Sequence, residues 1–222
     1  MLKTLLKRTL LRFGLQLRRI PSEEPIETRE VASSRTLWLR SFGIRTILDI
    51  GANTGQYAHR MRQEIPDAMI YSFEPLPDCF EQLKATLVSA LHFRAYNLAL
   101  GDRAGTMSFE RNEYSPSSSF LKIADLHWQA FPYTRHTDPV TVSLRRLDDL
   151  SQELVIKEPL LVKIDVQGYE DRVLRGGEAT IRRASVIIVE TSFEMLYEGQ
   201  PLFDDIYRTL VAWGFVYDGA LD

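Results

Sequence analysis

At 222 residues, with 45% hydrophobic and 26% charged side chains, the chain has the size and make-up of one globular domain with a substantial core. A formal net charge of −3 leaves no broad basic footprint, which argues against a general nucleic-acid binder. The single cysteine, Cys79, excludes an intramolecular disulfide and a Cys-rich zinc site, and suits a reducing, cytoplasmic setting.

Residues 1–20 carry Lys3, Lys7, Arg8, Arg12, Arg18 and Arg19 and no acid, while Leu2, Leu5, Leu6, Leu10, Phe13, Leu17 and Ile20 recur at helical spacing. No apolar run approaches the ~20 residues of a membrane span. Arg12 breaks what would be a signal-peptide core, and no small-residue cleavage site follows. Two readings stand: a basic amphipathic helix in peripheral contact with an anionic membrane, or a helix packed on its own domain or a partner. The Pro- and acid-rich stretch 21–30 reads as a linker, so the chain divides into a segment 1–30 and a domain 31–222.

A helical pattern over about 30–42 ends at Gly43, a plausible C-cap. Strand 45–50, helix 54–63, strand 68–74, helix 77–88 and strand 92–100 follow in alternation. After a break, strand 159–166, helix 169–175, strand 184–190, helix 202–213 and a last strand, "FVYDG", resume it. Such alternation predicts an α/β fold: a mostly parallel sheet with helices on both faces. The break is an insertion, 105–147, made of two antiparallel strands (105–112 and 139–147) around the aromatic-bearing stretch 113–138. Loops this long inside a compact domain are usually lids or binding elements.

The first strand runs into "DIGANTG" at the start of a helix. Ligands of open α/β sheets bind beyond the carboxyl ends of the strands. Gly51 permits a positive φ, Gly55 allows close approach of a ligand, and Asn53 or Thr54 can cap the helix. The spacing is neither that of a dinucleotide-binding G-x-G-x-x-G turn nor, without a following Lys, that of a phosphate-cradling P-loop. A loop without a phosphate cradle suits a nucleoside that carries an amino acid. Glu74, 25 residues after Asp49 at the end of the second strand, can accept both ribose hydroxyls of such a ligand. Asn53 and Pro75, in the same two turns, complete the candidate set.

The segments "ILDIGANTGQYA", "SFEPLPDCFEQL", "NLALGD", "SSSF", "RRLDDL", "LVKIDVQGYEDRVLRGG" and "VIIVET" resemble the FkbM-type S-adenosylmethionine-dependent methyltransferases over about residues 35–218. The resemblance implies a class I, Rossmann-like methyltransferase fold, S-adenosyl-L-methionine as cofactor, and hydroxyl acceptors on sugars, glycans or secondary metabolites. It would place Asp49, Gly51 and Gly55 by the methionine moiety, Glu74 on the ribose and Asp102 near the adenine. Class I methyltransferases usually close the sheet with an antiparallel hairpin; no closing strand is visible after "FVYDGALD", so the edge is completed otherwise or lies beyond the chain.

An alcohol must lose its proton as the methyl arrives, so a base is expected at the ends of the central strands. Asp165, ending "LVKID", is the first candidate for base or acceptor anchor, with an alternative role on the cofactor. Glu190, ending "VIIVE", is the second, and Lys163 and Glu170 join them in a polar cluster. His127 and His136 in the aromatic insertion are further candidates for base, and no metal is required. "IDVQGY" replaces the Asn/Asp-Pro-Pro-aromatic motif of base N-methylases, which favours a hydroxyl acceptor. The rival readings are a nicotinamide-dependent dehydrogenase, which lacks its glycine pattern, and a non-catalytic cofactor-binding scaffold with a membrane-facing helix.

Overall fold

The computed structural model describes residues 39–87 and 91–221. The amphipathic segment 1–20, the linker and most of the predicted helix 30–42 lie outside these residues. The last turn of that helix, residues 39–41, ends at Gly43, whose φ is +61° and whose N–H donates to the Arg40 carbonyl.

In chain order come β1 (Thr46–Ile50), α1 (Gln56–Glu64), β2 (Met69–Phe73), α2 (Pro77–Thr86), β3 (Phe93–Tyr96), β4 (Ala99–Leu100), β5 (Gly105–Asn112), α3 (Asp125–Ala130) and β6 (Thr137–Arg145). Then follow α4 (Leu147–Leu150), β7 (Leu160–Ile164), α5 (Glu170–Gly176), α6 (Glu178–Ile181), β8 (Val186–Val189) and α7 (Phe203–Ala212). Five strands form an all-parallel sheet in the order β3-β2-β1-β7-β8, with the order reversing between β1 and β7. Side chains of a strand alternate between faces, and the core obeys this. Ile47, Ile70 and Leu161 pack with Ala58 and Met61 of α1 and Leu83 of α2. Leu48, Ile50, Val162 and Ile164 pack on the other side with α4 to α6 and with Ile206 of α7. Helices thus cover both faces, as the near-continuous apolar strands require.

The predicted strand 92–100 is two strands in two sheets. β3 pairs with β2 as far as Tyr96, whose carbonyl accepts from the Glu74 N–H. The Asn97 amide then donates to the Glu74 and Pro75 carbonyls, each at 3.0 Å, and turns the chain away. β4 instead joins a three-stranded sheet, β4-β6-β5, in which β5 and β6 are antiparallel, as expected of 105–112 and its partner. Phe109, Val142 and Leu144 of this sheet pack on Leu76 and Cys79, so the predicted insertion is fastened beside the end of β2.

The predicted final strand is absent among the described residues. Gly214, at φ +94°, ends α7, and the following Tyr217 packs on Phe203 and Tyr207 of that helix rather than pairing with β8. The glycines after α5 have a different task from stopping a helix. A Cβ on Gly176 would lie 1.8 Å from the Gly101 carbonyl oxygen, so α5 touches the backbone beyond β4 there. Gly176→Ala is expected to lower unfolding stability by about 3 kcal/mol, since the atoms it would meet are backbone of Gly101 and Asp102 and not a side chain that can move. A urea midpoint unchanged from the parent would contradict this packing.

Candidate active site

The sheet register builds the first layer of the site. Ser72, Asp49 and Lys163 lie abreast on β2, β1 and β7. Asp49 is fully buried; Ser72 donates to its Oδ2 at 3.1 Å, and the Lys163 ammonium lies 3.3 Å from Oδ1 without hydrogen-bond geometry. Lys163 donates instead to the Gly51 carbonyl at 2.6 Å and sits 3.3 Å from Asp165 Oδ2. Burial raises the Asp49 carboxyl, against the pull of Lys163. Burial would lower Lys163, but the two carboxylates outweigh it and hold the ammonium above its ordinary pKa.

Above this layer a cleft of about 350 Å³ opens over the ends of β1, β2 and β7, at the switch in strand order. Gly51, Asn53, Glu74, Pro75, Asp165 and Glu190, all expected from sequence, line it. Asp49, Gly55 and Asp102 do not. Asp49 lies beneath the floor, and Asp102 pairs with Arg175 at 3.2 Å. Gly55, at φ +94° before α1, is outside the lining, and a Cβ there would lie 2.7 Å from buried Leu83. Gly51 lines the cleft, but its lack of a side chain is also required by packing, since a Cβ would meet the Asp165 carbonyl oxygen at 1.8 Å. Both glycines are demanded by packing. Nor do Asn53 and Thr54 cap α1; Gly55 holds the N-cap position, and Asn53 takes φ +48° with its amide on Ser115.

Glu74 is almost wholly buried, and its two oxygens accept from the N–H groups of Asn53 (2.8 Å) and Leu76 (2.9 Å). Desolvation nevertheless pushes its carboxyl up to about 7. Beside it the wall is apolar, from Phe73, Leu76, Ala99 and Phe109. Tyr57 also lines the cleft, and its buried hydroxyl has no hydrogen-bond partner among the described residues.

At the other end Asp165 and Glu190 are bridged by Gln167, whose amide donates to Asp165 Oδ1 at 2.8 Å and Glu190 Oε2 at 2.5 Å. The far side of that amide accepts from the Tyr197 hydroxyl at 2.9 Å, and the Gln167 carbonyl accepts from Ser119 at 2.6 Å. Gln167 holds φ +55°, a conformation uncommon outside glycine. Desolvation and then the adjoining Asp165 charge push the Glu190 carboxyl up to about 8. Burial opposes ionisation of Asp165 too, but Lys163 and the hydrogen bonds from Glu190 and Gln167 hold it below the usual carboxylate range. Two acids of one kind are thereby driven apart, as acid/base sites require.

Glu170 does not line this cleft. Its Oε1 accepts from Val166 and Gly168, and burial pushes its carboxyl up to about 7. His127 does not line it either: it is buried against Phe131 and Tyr197, and burial lowers its pKa. His136 is exposed and away from the lining. Sequence reasoning passed over Gln167, Tyr57 and Tyr197. Gln167 left a faint signal, standing before a glycine in the segment that closes the central strand.

Among the described residues no group of three or more His, Cys, Asp or Glu side chains is arranged to hold a metal ion, and no helix is long and apolar enough to cross a membrane. A parallel sheet covered by helices on both faces, its strand order reversing between β1 and β7 beneath the cleft, is the class I, Rossmann-like methyltransferase architecture. The methyltransferase FkbM domain matches residues 49–217, and the chain belongs to that family.

The chain is 33% identical over 161 residues to the 2-O-methyltransferase NoeI of Sinorhizobium fredii, covering 69% of this chain and 66% of that protein. It is 29% identical over 142 residues to Methyltransferase 1 of Beauveria bassiana, covering 59% and 57%. To the hexuronic acid methyltransferase AglP of Haloferax volcanii it is 24% identical over 148 residues, covering 64% and 54%. It thus spans no more than 66% of the length of these relatives.

Proposed function

We propose that the chain is an S-adenosylmethionine-dependent O-methyltransferase acting on a hydroxyl of a sugar, a glycan or a glycosylated secondary metabolite. The observation that carries this is the Asp165–Gln167–Glu190 bridge at the mouth of a cleft of nucleoside-binding size. The name of the Sinorhizobium relative supports oxygen as the methylated atom, and that of the Haloferax relative supports a sugar as the acceptor.

The cleft suits the cofactor on its own evidence. It has an apolar wall for a base, a carboxyl at the end of β2 for ribose hydroxyls, and an orphan Tyr57 hydroxyl for a polar group. When bound, S-adenosylmethionine supplies an electrophilic methyl group. Glu74 would hold the ribose, and Gly51 and Asn53 would border the amino-acid end. Glu190, raised to about 8, takes the proton of the acceptor hydroxyl at its carboxylate oxygen, and Gln167 holds that carboxyl in place. Asp165, kept ionised by Lys163, anchors the acceptor and keeps Glu190 basic. This assigns the base to Glu190 and the anchor to Asp165.

Isothermal titration with S-adenosylmethionine, followed by turnover against a panel of glycosides, tests the reading. Glu74→Ala is expected to weaken cofactor binding by about 1.5–3 kcal/mol, the range for hydrogen bonds to a charged partner. Unchanged affinity in a folded variant would remove Glu74 from the cofactor site.

A further inference from the structure

A second, smaller recess adjoins the cleft, and the two share Gln167 and Glu190 in their walls. Glu170, Thr191, Ser192 and Gln200 provide most of its remaining polar lining. Its chemistry is one-sided. Among the described lining residues there is no Lys, Arg or His. Lys163, which lines the main cleft, is already engaged with the Gly51 carbonyl between Asp49 and Asp165, and Arg172, which reaches the Gly199 carbonyl beside Gln200, is paired with Asp171.

The amides that face this region are engaged as well. Gln167 gives its hydrogens to Asp165 and Glu190. The Gln200 side-chain oxygen accepts from Leu196 at 3.0 Å and Tyr197 at 2.6 Å, and its nitrogen donates to the Glu194 carbonyl. What the recess offers an incoming molecule is therefore carboxyl oxygen and hydroxyl groups, with no cation to pair a second anion. A buried or half-buried anion without a counter-charge is strongly disfavoured, and a like charge set beside it is worse.

We infer that this recess, of about 40 Å³, receives one substituent of the acceptor and selects it by charge. It takes the hydroxyl or amino groups of uncharged or amino-bearing sugars and rejects the carboxylate of uronates and the phosphate of phosphorylated sugars. Hydroxyl and ammonium groups bring donors to Glu190 and to Thr191 and Ser192. A carboxylate or phosphate brings only acceptors and places a further negative charge near Asp165, which Lys163 keeps ionised. Glu190, raised to about 8, adds to that repulsion as it ionises. The inference takes from the proposed function only that the acceptor is a hydroxyl compound. Charge selection is read by binding and does not need a methyl to be transferred.

The test uses the full chain saturated with S-adenosylhomocysteine. Ligand-observed NMR titrations compare methyl glucoside, the methyl glycoside of glucosamine, and methyl glucuronide, alongside turnover of the same three compounds. The neutral and amino sugars are expected to bind at least tenfold more tightly than the uronide. Ser192→Lys is expected to narrow the gap between the neutral glycoside and the uronide tenfold or more, by supplying the cation that the lining lacks. Should that variant not fold, the order in the parent protein decides alone. Uronide binding equal to or tighter than the neutral sugar overturns the inference, as does failure of all three to bind. Binding in the expected order without methyl transfer leaves the inference standing and removes the proposed activity instead.

Discussion

Glu190→Gln is expected to depress kcat by at least about 10²-fold while leaving S-adenosylmethionine affinity little changed. The substitution keeps the shape of the side chain and its contact with Gln167 while removing its basicity. In the parent protein the base form of a carboxyl near 8 falls about tenfold with each pH unit below that value, so kcat/KM should climb through neutrality and level above pH 8. Glu190→Gln should erase that limb. Asp165→Asn gives the sharper comparison. Asp165 raises Glu190 by its charge and by their hydrogen bond, so its neutralisation lowers the Glu190 pKa and moves the limb toward acid. If Asp165→Asn abolishes the limb and Glu190→Gln preserves it, the base is Asp165.

The parts of the fold that were legible in the sequence are those fixed by local pattern. The apolar run of β1 and the alternation of β5 gave their strands closely, and Pro77 at the first turn marked the start of α2. The division of 92–100 between two sheets was not legible. It depends on Asn97 meeting carbonyls more than twenty residues earlier, and no window around Asn97 records that. The missing last strand failed for a similar reason: "FVYDG" has strand chemistry, but the rings of α7 take Tyr217.

The candidate site was legible where a strand end dictates position. Glu74, Asp165 and Glu190 each follow the last residue of a strand and reach the cleft for that reason. Of the two glycines, Gly51 has the expected positive φ and lines the cleft, whereas Gly55 does not line it, because a positive φ tells nothing of what fills the space beside it, here Leu83. His127 has the residue type of a base but stands in an aromatic cluster outside the cleft, where burial lowers its pKa. Gln167 carries no charge and so drew no notice, although it holds both acids.

Lys163→Met should lower unfolding stability by about 3–5 kcal/mol, the cost of leaving one member of a buried ion pair without its partner. Asp49 is fully buried and Lys163 nearly so, with Asp165 on the ammonium's other side. Methionine fills much of the same volume, so the loss reports charge more than packing. The pH dependence separates the two. Without the ammonium, burial leaves the folded Asp49 carboxyl further above its unfolded pKa. A group raised in this way binds more protons folded than unfolded, so the variant loses stability as pH rises through that interval and regains it toward acid. Urea unfolding of the parent and of Lys163→Met at pH 5 and pH 8 should show a gap that widens at the higher pH. Adding Asp49→Asn should then recover a large share of the loss, because the orphaned charge is gone while the polar contact with Ser72 can persist. A gap that ignores pH and is not rescued by Asp49→Asn would mean that Lys163 supports the fold through its bond to the Gly51 carbonyl, not through its charge.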